Sequence, residues 1–128
     1  MIKKFNKFLI NEANTCSRIC KECPFSKNSA PGWLANYTVE DIADFVSNEA
    51  LFPCHLTLSD DDLDQDEVET GIKNGDMKLC RGYVECVIKS AKSPRYNKLL
   101  IEEIDKVKKE GLSENSMPIW EFKKHHSK

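Results

Sequence analysis

The stretch LCRGYVECVIK, residues 79–89, decides the fold class, because one run carries both a cysteine and the start of an amphipathic helix. Leu79, Tyr83, Val84, Val87, Ile88 and Ala91 recur at the three- and four-residue spacing that gathers side chains on one helical face. Ser93-Pro94 ends the run, since proline cannot donate the backbone hydrogen bond that a continuing helix needs. Cys86 lies near the apolar stripe, where a small buried side chain is explanation enough. Cys80 sits at the head of the helix, followed by Arg81-Gly82.

Working outward toward the C-terminus, Leu100, Ile101, Ile104 and Val107 predict a further helix over about 95–109, with Gly111 as its stop. Ser116 and Pro118 offer an N-cap and an early helical proline for a last short helix, IWEFKKHH. Trp120, with Ile119 and Phe122, is expected to pack that helix onto the body. His125 and His126 read as a frayed exposed end, the alternative being a tail folded back over a metal site.

Toward the N-terminus, Thr38 and Asp41 have the spacing of a capping box, and Val39, Ile42, Ala43 and Val46 follow at helical spacing. The opening MIKKFNKFLINEA reads as a short amphipathic helix over about 2–13, with Ile2, Phe5, Phe8 and Leu9 on one face. Residues 49–60 read as loop. The seven acids of SDDDLDQDEVE (59–69) read as a solvated loop or helix start. The Asp60, Asp62, Asp64 spacing suggests a calcium loop, but Gln65 stands where the sharp turn needs glycine and Gly71 where the bidentate glutamate belongs, which argues against one. No alternating strand pattern is visible. The sequence therefore predicts a mainly α fold, one metal-binding domain over 1–128. It has about five helices, with irregular loops converging on a four-cysteine site.

Length and composition agree with one small domain: 128 residues, 40% apolar and 31% charged. No apolar run approaches the roughly 20 residues of a membrane span. Asn6, Lys7, Asn11 and Glu12 break the opening too early for the apolar core of a secretory signal. The expected location is the cytoplasm. Residues 1–72 hold 6 Lys/Arg against 13 Asp/Glu (−7), and residues 73–128 hold 13 against 8 (+5). That leaves no global polyanion-binding charge, only the option of a local basic face.

In a reducing compartment six cysteines (16, 20, 23, 54, 80 and 86) point to metal rather than to disulfides, which would lead only if the chain were exported. Cys20-Lys-Glu-Cys23 lets two thiolates converge on one ion, with the intervening amides available to their sulfurs. Cys54, in Phe52-Pro53-Cys54-His55, and Cys80 complete a four-thiolate set whose long loops the metal would close. Cys16 is a spare thiol or an alternative ligand. His55 is a replacement ligand or a hydrogen-bonding neighbour of the site. The absence of a second CxxC pair, together with proline directly after Cys23, tilts the reading toward a [4Fe–4S] cluster over Zn²⁺. The Cys16-x3-Cys20-x2-Cys23 spacing copies that of radical enzymes using S-adenosylmethionine, but a small helical domain has no barrel for that cofactor.

The string C-x2-C-P-F, then P-G-W, F-P-C-H and C-R-G, with S-P-R and a terminal E-F-x-x-H-H, resembles a group of small bacteriophage and bacterial proteins. These share a CxxCP…CH…CxG pattern and carry no assigned activity. The resemblance spans Cys20 to His126. It implies Cys20, Cys23, Cys54 and Cys80 as ligands, with His55 and Gly82 as accompanying motif positions, and a phage or mobile-element origin that would place the protein in host cytoplasm.

Three functions follow as expectations. The first is a non-enzymatic adaptor or modulator of a protein partner. The second is a nucleic-acid-associated regulator using Arg81, Lys89, Lys92, Arg95 and Lys98. The third is an iron–sulfur redox protein. Enzymatic activity is not expected, because the sequence offers no nucleophile–base pair, phosphate-binding glycine loop or paired carboxylates in context.

Overall fold

The structure, a computed structural model, describes residues 15, 16, 19, 23–32, 34, 37–54 and 64–127. The helix expected over 2–13, together with Cys20, Trp33 and His55, lies outside the described residues. Five helices are found among those described: α1 (Val39–Ser47), α2 (Gln65–Asn74), α3 (Arg81–Lys89), α4 (Lys98–Glu110) and α5 (Ile119–His125). No sheet accompanies them, only isolated bridges between single residues. The fold is mainly α.

Local chemistry sets the helix ends. Thr38 Oγ1 accepts from the Asp41 amide while Asp41 Oδ2 accepts from the Thr38 amide, both at 3.0 Å, so two otherwise unpaired donors are satisfied at the head of α1. Asp64 and Glu67 repeat the arrangement on α2. The acid-rich run thus supplies a helix start, with only Val68, Gly71 and Ile72 buried beneath it. Asn97 caps α4 through the Leu100 amide, and Gly111, at φ +100°, ends it where the sequence places the stop.

Two local expectations need correcting. Ser116 does not cap α5; Pro118 holds that position, and the Ser116 hydroxyl instead donates to buried Glu85. Trp120 does not pack onto the body. It is 61% exposed, and Phe122, two residues on, is the side chain that turns inward.

Helix α3 is the centre of the molecule. It packs against α4, while α5 lies against both α1 and α3. Arg81 through Val87 are all buried, so the apolar stripe read from sequence is only part of what α3 buries. The two charged residues there are satisfied internally. Arg81 Nε donates to Glu85 Oε2 at 2.8 Å, and Glu85 Oε1 accepts from the Ser113 amide and the Ser116 hydroxyl, each at 2.7 Å. An aromatic cluster fills the space between α3 and the loops. Phe25 stacks on Phe122 at 4.9 Å and meets Phe52 and Tyr83 edge-on at 5.4 and 5.7 Å. The Tyr83 hydroxyl is shared between the carbonyls of Ala50 (2.6 Å) and Phe45 (3.0 Å), which ties α3 to the end of α1.

Candidate metal centre

Three short extended segments meet in front of α3. The Cys16 amide donates to the Leu79 carbonyl (3.1 Å), the Cys54 amide to the Lys78 carbonyl (2.7 Å), and the Cys80 amide to the Phe52 carbonyl (2.9 Å). Leu79 is the middle of this arrangement, bridged in parallel to Thr15 and in antiparallel fashion to Pro53. Each of the three backbone bonds is made by a cysteine amide. Cysteines from distant points of the chain are thereby carried to one place by the main chain.

Cys80 then serves as the N-cap residue of α3, where unpaired amides and the helix dipole favour negative charge. The Tyr83 amide lies close enough to favour the Cys80 thiolate, although no capping hydrogen bond closes. The fourth segment comes from Cys23, whose sulfur rests 3.3 Å from that of Cys80, with both residues buried. Gly82 makes the approach possible. A Cβ there would fall 2.7 Å from Cys23 Sγ and 2.8 Å from Phe25 Cβ, too close for either to remain in place. The C-R-G string thus has a steric meaning: the glycine keeps the first turn of α3 open for the Cys23 sulfur.

Two further thiols, Cys16 and Cys54, form a second contact. Cys16 hydrogen-bonds to Cys54, and this contact, together with burial and the neighbouring thiols, holds the Cys16 thiol well above its usual range. Cys80 is raised in the same way, first by its bond to Cys23, then by burial and by Cys54. Among the described residues no three His, Cys, Asp or Glu side chains stand in a chelating arrangement, and no disulfide joins the five described cysteines. Cys86 is separate: fully buried on α3, 3.9 Å from the Ser90 hydroxyl, its thiol is pushed up to about 12 by burial. That matches the core role read from sequence.

The basic residues do not form one face. Arg81 is buried and spends its guanidinium on Glu85, Glu110 and the Gly111 carbonyl. Lys89 donates to the carbonyls of Ser113 (2.6 Å) and Ser116 (2.9 Å). Lys92, Arg95 and Lys98 are exposed, with Glu49 against the 95–97 backbone between them. The Glu49 carboxylate accepts from the amides of Arg95, Tyr96 and Asn97, which hold it below the usual carboxylate range.

The terminal histidines, expected to fray, are tied down. His126 is 7% exposed; its Nε2 donates to the Pro24 carbonyl (2.7 Å) and its Nδ1 accepts from the Gly32 amide (2.9 Å). His125 Nε2 lies 2.9 Å from the Ser29 carbonyl. Both grip the loop that follows Cys23. This assigns His126 the neutral form with its proton on Nε2, and burial accordingly lowers its affinity for a second proton. The signal available in sequence was only the pair itself, since its partners lie about a hundred residues away.

Compared with protein-family models, curated proteins and solved structures, the chain has no significant match.

Proposed function

We propose that the protein is a metal-stabilised adaptor whose site is built from Cys23, Cys54 and Cys80, with Cys16 or Cys20 as the fourth thiolate. The observation that carries this reading is the 3.3 Å approach of the buried Cys23 and Cys80 sulfurs at the head of α3. Two apolar-packed thiols from positions 57 apart in sequence gain little by touching as neutral groups. As thiolates around a cation they would gain the folding free energy of the bound ion, on the order of 10 kcal/mol for a structural zinc site.

The thiol spacing favours a single ion over a cluster. Zinc–sulfur bonds of ~2.3 Å in a tetrahedron put sulfurs about 3.8 Å apart, a small expansion of the observed pair. A cubane cluster separates its ligating thiolates by a whole iron–iron edge and two outward bonds, and would have to prise the pair well apart. Against the tilt toward [4Fe–4S] that the missing second CxxC pair and Cys23-Pro24 gave, this spacing supports Zn²⁺. His55 and Cys20 remain candidates for completing or supporting the set.

The adaptor half of the proposal rests on Trp120 and Tyr96, 61% and 85% exposed, residue types that interfaces bury. The nucleic-acid reading is the weaker one, since Arg81 and Lys89 are already engaged inside the fold. No helix among the described residues is long and apolar enough to cross a membrane. A thiolate site of this kind suits a reducing cytoplasm, the host's if the origin is a phage.

The test is metal analysis and a visible spectrum of anaerobically purified protein. About one zinc per chain without colour supports the proposal. Iron with sulfide and visible absorbance replaces the ion with a cluster. Neither metal, from protein that is nonetheless folded, removes the site.

A further inference from the structure

We infer that Cys23 and Cys80 form a peroxide-reactive thiol pair, whose joining into a disulfide takes two ligands from the metal and releases it. The release rests on the metal reading above; the formation of the bond does not.

The geometry is already most of the way there. A disulfide needs its sulfurs about 2.05 Å apart, and the pair stands at 3.3 Å with nothing between the two atoms. The two cysteines sit on different segments, one on the loop ahead of Pro24 and one at the cap of α3. A small shift of that loop, rather than a break in the helix, closes the gap. Gly82 leaves the Cys23 sulfur lying directly against the first turn of α3.

Access selects the oxidant. Cys23 is 3% exposed and Cys80 4%, so a bulky disulfide such as oxidised glutathione has no approach to either sulfur, whereas hydrogen peroxide is hardly larger than water.

The reaction balances with peroxide as the sole oxidant. One sulfur of the pair attacks a peroxide oxygen; the sulfur–oxygen bond forms, the oxygen–oxygen bond breaks, and hydroxide leaves. The other sulfur then attacks the resulting sulfenic acid; the sulfur–sulfur bond forms, the sulfur–oxygen bond breaks, and the second oxygen leaves as hydroxide. In the metal-free chain the two thiol protons turn both into water; in the metal-bound chain, whose thiolates carry no protons, solvent supplies them as the ion departs. The two sulfurs lose two electrons and one peroxide becomes two waters.

The experiment treats full-length protein, metal-loaded and chelator-stripped, with hydrogen peroxide. Metal release is followed with a colorimetric chelator, and cysteine linkage is mapped by non-reducing peptide mass spectrometry. The expected result is one new linkage, Cys23 to Cys80, appearing in step with metal release and reversed by a thiol reductant. Cys86→Ser, which changes a buried thiol outside the pair, should leave linkage and release rate unaltered. A chain that carries no metal but still forms the Cys23–Cys80 bond defeats the metal reading and keeps the redox pair. A metal-bearing chain defeats the inference, and leaves the metal reading intact, if it links only Cys16 to Cys54, links through Cys20, over-oxidises without linkage, or keeps its metal after the bond forms.

Discussion

The two sides of α3 are held together by different physics. On the α4 side, Leu99, Leu100, Ile104 and Val107 bury an apolar face against a helix whose charged residues, Arg81 and Glu85, find partners within the body. This side needs nothing from outside. On the cysteine side, three extended segments hang on single backbone bonds from Cys16, Cys54 and Cys80, and buried thiols meet where packing would prefer hydrocarbon. One side is a self-sufficient core; the other is the side proposed above as a metal socket. On that reading a helix is buried for two unrelated reasons, and only one of them is stability of the bare chain.

The largest expected effect comes from chelation. On the proposed zinc reading, stripping the ion should withdraw on the order of 10 kcal/mol from the folded state. Amide exchange then decides whether the sides separate: protection lost in 52–54 and 78–80 but retained in α4 sharpens the comparison, and simultaneous loss everywhere breaks it. Next is Glu85→Ala, which leaves Arg81 buried without its main partner and should cost about 3–5 kcal/mol in denaturant unfolding, whether or not metal is bound. Equal destabilisation by the exposed-pair variant Glu69→Ala would deny Glu85 this special place, since Lys73 and Glu69 form only a surface pair. Gly82→Ala should act on the socket instead. The added methyl displaces Cys23 or Phe25 and costs about 1–3 kcal/mol; on the metal proposal it also weakens metal retention, while the α4 side keeps its exchange protection.

The smallest effect is pH-dependent. His126 binds a proton less readily folded than unfolded, mainly because of burial. Its contribution is therefore intact above the unfolded value near 6.5 and is lost as pH falls through the lower folded value. Exchange at the Gly32 amide should quicken in that window, and His126→Gln should remove the pH dependence.

Most of the helical frame was legible because it depends on neighbours in sequence. The Thr38–Asp41 box, the stripe of Leu100, Ile104 and Val107, and the Gly111 stop each need no knowledge of the rest of the chain. Helix α2 was legible only as an alternative, because its acids dominate the pattern and it buries few apolar residues. What could not be read depends on distant partners. Arg81 looked like surface charge, although Glu85 one turn on is the signal that allows its burial. The His125–His126 grip on 24–32 has no local signature. Among the described cysteines, the sulfurs pair as Cys23 with Cys80 and Cys16 with Cys54, a pairing that spacing in the sequence does not reveal.

The grip of His126 on Pro24 and Gly32 spans 102 and 94 residues. At 5–20 residues per second, a ribosome needs roughly 5–20 s to travel from the loop to the histidine that closes it. Throughout that interval Cys23 has been made and its loop has no clasp. On the metal and redox proposals, the nascent chain would therefore stand open to ions and oxidants long before the finished protein shuts around Cys23.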